Sequence, residues 1–123
     1  MLAVAFSDFS DASDLNLLGN AQVTSNDVLR VTPAKDLAKG AAWLEQKQFV
    51  SIDFETTFQF QMTDNDGGPG EADGFAWVIQ HYSALALNDG GQGLGYSGMP
   101  NSLAVEFDSS QNSSQGDPDD SHV

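Results

Sequence analysis

Apolar and polar side chains alternate along much of this chain with the period of two that a β-strand requires, and no segment carries the spacing of an amphipathic helix. The alternation is clearest over 54–62. There Phe54, Phe58, Phe60 and Met62 share one parity and Glu55, Thr57, Gln59 and Gln61 the other, which predicts a half-buried antiparallel strand. The run from Gly74 to Tyr82, GFAWVIQHY, is apolar on both parities and rich in aromatic and β-branched residues, so a central strand covered on both faces is expected. Further strands are expected over 3–9, 22–25, 28–32, 43–44 and 102–107. Turns are expected at Gly19-Asn20, Thr32-Pro33, Asp66 to Gly70 and Asn88 to Gly93. Trp43, Trp77 and His81 are assigned to packing between strands rather than to chemistry.

Short strands punctuated by Gly, Asn and Asp, with no internal repeat, read as an all-β antiparallel β-sandwich. A length of 123 residues allows one compact domain, and eight Phe with two Trp supply apolar bulk that acidic disordered chains lack. Four Lys and Arg against 18 Asp and Glu leave a net charge of −14. Such a surface repels phosphate backbones and anionic headgroups, so no nucleic acid and no membrane insertion are expected, whereas cations and neutral ligands are favoured. The lack of Cys removes disulfides, zinc thiolates and thiol nucleophiles together. The apolar run Met1 to Phe6 is too short for a signal peptide, and no stretch is long enough for a membrane span.

The segment that bears chemistry is 106–122. Leu103, Val105 and Phe107 share one strand face, so Glu106 and Asp108 project from the other, roughly 7 Å apart at about 3.4 Å per residue. Two like charges on one face are most simply accommodated by a bound cation. Asn112, Asp117 and His122 follow, with Pro118 stiffening the turn. Hard oxygens suit calcium, and a carboxylate and imidazole mixture suits manganese or another first-row ion, so the segment can hold two ions sharing Asp108 and Asp117. By composition alone, SSQNSSQGDPDD at 109–120 would be a flexible acidic tail.

The pattern VEFDSSQNSSQGDPDDSHV resembles the metal-binding segment of the L-type (legume-type, concanavalin-like) lectins. The resemblance extends to FSDFSDASDLNLLGNAQV, similar to that family's first strand and following turn, and to FETTFQFQM, similar to another of its strands. It implies a concanavalin-like jelly roll. It further implies that Glu106, Asp108, Asp117 and His122 hold a transition metal such as Mn2+, and that Asp108, Asp117, the Asn112 side chain and the Ser110 carbonyl hold Ca2+. By the same resemblance Asp73 and Asn112 meet the hydroxyls of a mono- or oligosaccharide, and the Ala72–Asp73 peptide bond is cis. A backbone N–H from Gly91 or Gln92 completes the sugar site.

Two departures from the pattern qualify it. Ser110 stands where an aromatic ring is common in that family, which puts part of the sugar affinity in doubt. Family domains also continue beyond the histidine, so residues 1–123 are expected to be the amino-terminal part of one incomplete sandwich, of bacterial origin, with self-association of exposed faces. An extracellular or cell-surface setting follows from the resemblance.

Other motifs carry less. Gly93 to Gly98 spells G-x-G-x-x-G, but Pro100 and a strand follow where a dinucleotide fold needs a helix. Gly95-Tyr96-Ser97-Gly98 lacks the final Gly of a nucleophile elbow. Asn112-Ser113-Ser114 is a glycosylation sequon whose use would block Asn112 as a ligand. The competing reading is a laminarinase-type glycoside hydrolase of similar architecture. Glu106 to Gln111 resembles its Glu-x-Asp-x-x-Glu motif, but an amide at Gln111 cannot donate the proton that cleavage needs, so no enzyme is expected. A structural or adhesive β-module stabilised by metal, without sugar binding, is the third reading.

Overall fold

The computed structural model describes residues 3–63, 73–118 and 122–123. The six strands among the described residues pair antiparallel, two by two: β1 (Leu15–Gly19) with β4 (Gly40–Leu44), β2 (Gln22–Val23) with β3 (Leu29–Arg30), and β5 (Gly74–Gln80) with β6 (Ser102–Asp108). Gly91–Gly93 forms a single 3-10 turn. Among the described residues no helix is long and apolar enough to cross a membrane.

The β5–β6 register places Phe75 opposite Phe107, Trp77 opposite Val105 and Ile79 opposite Leu103, so these six side chains share one face. Phe54 stacks on Trp77, and Phe58 and Phe60 pack against Phe75 and Phe107. Phe75 and Phe107 are themselves stacked, with centroids 4.7 Å apart. The opposite face carries Gly74, Ala76 and Val78 against Asp108, Glu106 and Ala104. It is the better covered of the two: Asp108 is 7% exposed, whereas Leu103 is 66% exposed. The loop between β5 and β6 contributes the buried side chains Ala86 and Met99, and the Trp43 indole N–H donates to the Ala86 carbonyl at 2.8 Å, tying that loop to β4.

Several expectations are corrected here. Residues 54–62 form no ladder with a described strand, although Phe54, Phe58 and Phe60 do face the apolar sheet as their parity requires. Alternation selects a face; it does not supply the neighbouring backbone that a ladder needs. The strand expected over 3–9 is likewise absent: Phe6 stacks on Phe9, and the Phe9 amide bonds the Asp27 carbonyl. Conversely, Leu15–Gly19 is a strand that the alternation does not predict, followed by the expected turn at Gly19-Asn20, where the Ala21 amide bonds the Leu18 carbonyl at 3.1 Å, and β4 extends back to Gly40. The expected turn at Asp66 to Gly70 lies outside the described residues.

Candidate functional site

The site grows from the end of β6. Asp108 is its last residue, paired with Gly74 at the start of β5. Gly74 has φ +143°, and a Cβ there would run into the Phe107 carbonyl oxygen, so only glycine lets β5 begin this close to the carboxylate strand. Beyond β6 the chain returns. The Asp108 amide donates to the His122 carbonyl at 3.0 Å and the His122 amide to the Asp108 carbonyl at 3.1 Å, which brings the imidazole beside the carboxylate.

Backbone amides orient the two aspartates. Ser110 N–H donates to Asp108 Oδ1 at 2.8 Å, and Asn112 N–H donates to Asp117 Oδ2 at 2.7 Å. Asp117 presents its other oxygen to His122 Nε2 at 3.6 Å. Ligand atoms of Asp108, Asp117 and His122 thus lie within 4.8 Å of one another. The Asn112 side-chain amide donates to the Ser110 carbonyl at 2.9 Å, so the two groups assigned to calcium by resemblance are themselves in contact.

Glu106 stands slightly apart. It lines the same polar cavity of about 190 Å³ as Asp108, Asp117, Gln92 and Gln115, but its Oε1 accepts a hydrogen bond from the Tyr96 hydroxyl. Burial, with that bond and the carboxylate's charge, pushes the Tyr96 phenol up to about 12. Sequence reasoning missed this partner. Leu94 and Gly95 both have positive φ and turn the chain so that Tyr96 lies over the strand, a geometry that Gly-Leu-Gly-Tyr only hints at.

The residues fit a metal ion by their own chemistry. Two carboxylates and an imidazole converge, a third carboxylate faces the same cavity, and no Lys or Arg is among its lining residues that the structure describes. Glu106, Asp108, Asp117 and His122 would hold a first-row ion, while Asp108, Asp117, Asn112 and Ser110 offer the oxygens that calcium takes.

Asp73 lies next to this cluster. Its backbone carbonyl accepts both the amide of Ser109, at 2.9 Å, and the Ser109 hydroxyl, at 3.2 Å. Burial and then the charge of Asp108 raise its carboxyl above the usual carboxylate range. Gly91, with φ +59°, sits so close that a Cβ there would be 3.4 Å from Asp73 Oδ2. The amides of Gly93 and Leu94 are engaged within the turn, by the Gly90 and Gly91 carbonyls. Gln92 lines the acidic cavity, so of the two candidates Gly91 is the one placed against Asp73. Ala72, and with it the expected cis bond, lies outside the described residues. Gln111 is exposed and donates to the Pro118 carbonyl at 3.4 Å.

Comparison with known proteins gives concordant matches. The model of the legume lectin domain matches residues 2–123. A lectin of Leucomphalos mildbraedii is 30% identical over an alignment covering 96% of this chain and 57% of that protein. A lectin-like protein of Arabidopsis thaliana is 38% identical over 57% of this chain and 28% of its own length. The chain therefore spans little more than half of the first relative's length, and the second alignment little more than a quarter of that protein's. No solved structure matches.

Proposed function

The chain belongs to the legume lectin domain family, whose fold is a concanavalin-like β-sandwich, and on that premise we propose that it binds mono- or oligosaccharides through a site organised by calcium and a transition metal. The observation that carries the proposal is the continuity between the two halves of the site. Asp73, the group offered to sugar hydroxyls, is bonded through its carbonyl to Ser109, the residue directly after the candidate ligand Asp108.

The bound ions would neutralise the crowded carboxylates and fix the loop that follows Asp108. Asp73 and Asn112 then present polar groups at set positions, and the Gly91 backbone offers close approach on the other side. Pre-organisation of this kind lowers the ordering cost that would otherwise cancel weak sugar contacts. Every step is recognition, and no group is assigned a role in bond cleavage. The calcium-rich exterior of a cell suits such a module.

The test is a glycan array and titration calorimetry on wild type and Asp73→Ala. The proposal expects the substitution to remove glycan binding while metal uptake stays within about a factor of three, since Asp73 is not placed as a ligand. Loss of metal uptake together with glycan binding would contradict that division of labour. Unchanged glycan binding would contradict the sugar-contacting role of Asp73.

A further inference from the structure

We infer that Tyr96 sets which cation the Glu106 side of the cavity accepts, by holding one oxygen of the Glu106 carboxylate in a hydrogen bond. This inference rests on the metal-organised reading above and concerns a residue that reading does not use. Tyr96 Oη donates to Glu106 Oε1, and both residues line the cavity shared with Asp108 and Asp117.

The phenol is held in place from its backbone. Tyr96 N–H donates to the Gly93 carbonyl at 3.1 Å, and the buried Met99 donates its N–H to the Tyr96 carbonyl at 2.8 Å. Gly93 is buried as well. Half-buried on this support, the hydroxyl is positioned for the carboxylate.

While that bond stands, one lone pair of Oε1 is committed and the carboxylate is held in the orientation the bond requires, so Oε2 is the oxygen Glu106 offers most readily to a cation. Calcium takes about six to eight oxygens and uses carboxylates in the bidentate mode to reach that number. A first-row ion needs fewer ligands and accepts the imidazole of His122, so one Glu106 oxygen serves it. Tyr96 is therefore a positioning residue that penalises calcium and leaves manganese or zinc unaffected. Removing its hydroxyl frees the carboxylate to grip calcium with both oxygens.

The experiment is competitive titration calorimetry with MnCl2 and CaCl2 on chelator-stripped wild type, Tyr96→Phe, Glu106→Gln and the double variant. Tyr96→Phe is expected to reduce the preference for manganese over calcium at this site by about ten-fold, the lower end of effects seen for outer-shell partners of metal ligands. In the Glu106→Gln background the same substitution should leave the ratio within about two-fold, because the effect is transmitted through that carboxylate. An unchanged ratio in Tyr96→Phe, or an equal change in both backgrounds, overturns the inference.

A second measurement uses wild type alone. With Tyr82 and Tyr96 the only tyrosines, selective 13C labelling gives two ring signals. Zinc, as a diamagnetic first-row ion, is expected to shift the Tyr96 signal while calcium alone leaves it in place. Equal shifts with both ions, or none with zinc, overturn the inference. Failure of wild type to take up any first-row ion would instead overturn the metal-organised reading itself, and the role of Tyr96 with it.

Discussion

The Asp73 carbonyl accepts two hydrogen bonds from Ser109, one from its amide and one from its hydroxyl, and so joins the residue before β5 to the residue after β6. One strand pair thereby carries both the acidic cluster and Asp73, the residue proposed to meet sugar. Through these bonds, ordering of the loop after Asp108 is expected to order the Asp73 backbone as well.

Ser109→Ala removes the hydroxyl bond and keeps the amide bond. Glycan affinity is expected to fall by about 0.5–1.5 kcal/mol, the net worth of one such bond, with metal affinity unchanged. Calorimetry with a glycan identified on the array reads both quantities. An equal loss of metal affinity would place Ser109 in the metal site instead.

Asp108→Asn removes the charge at the most buried position of the cluster. Uptake of both ions is expected to be lost. In chelator the variant should nevertheless melt at or above the wild-type temperature, because it relieves like-charge crowding with Asp73 and Asp117 while an amide oxygen still accepts from Ser110 N–H. Differential scanning calorimetry with and without metal tests the reversal. A variant that melts lower than wild type in chelator contradicts it.

Gly91→Ala tests the approach to Asp73. Its φ of +59° is left-handed, so a Cβ costs about 1–2 kcal/mol of stability, and the added methyl would lie 3.4 Å from Asp73 Oδ2. Glycan binding is expected to fall sharply, with the fold retained by circular dichroism and metal uptake intact. Full glycan affinity in a folded Gly91→Ala protein would show that the space beside Asp73 is not used.

Asp73 also gives a pH dependence in the metal-free protein. Its folded value is raised above the ordinary 3.8, so the folded state binds more protons than the unfolded chain between those two values. The stability this contributes is fully present below the ordinary value and is lost as pH rises through the folded one. Urea midpoints in chelator, compared between wild type and Asp73→Asn across the acid range, should show wild type losing ground with rising pH in that window. A pH-independent difference would contradict the shift.

Much of this arrangement could be read from residue order, for identifiable reasons. Strand parity alone separates Phe107 from Glu106 and Asp108, and the β5–β6 register keeps them on opposite faces. The spacing of Asp117 and His122 after Asp108 allowed the return that the backbone bridge completes. The partner of Glu106 was not legible, because Tyr96 reaches it through left-handed residues in a loop whose path no periodicity encodes. Nor could alternation show that 54–62 packs by its rings without a ladder, since rings and backbone satisfy different partners. The resemblance brings Gly91 and Gln92 to the sugar site without choosing between them, and the left-handed turn at Gly91 is what places it, rather than Gln92, against Asp73.

The central claim is that metal ions organise a sugar site, and its most direct test is one titration series. Chelator-stripped protein is titrated with calcium and manganese by calorimetry, and the stripped and loaded forms are then applied to the same glycan array. The account predicts saturable uptake of two ions and a glycan signal confined to the loaded form. Equal glycan signals from both forms, or uptake of two ions with no glycan signal in either, would contradict it.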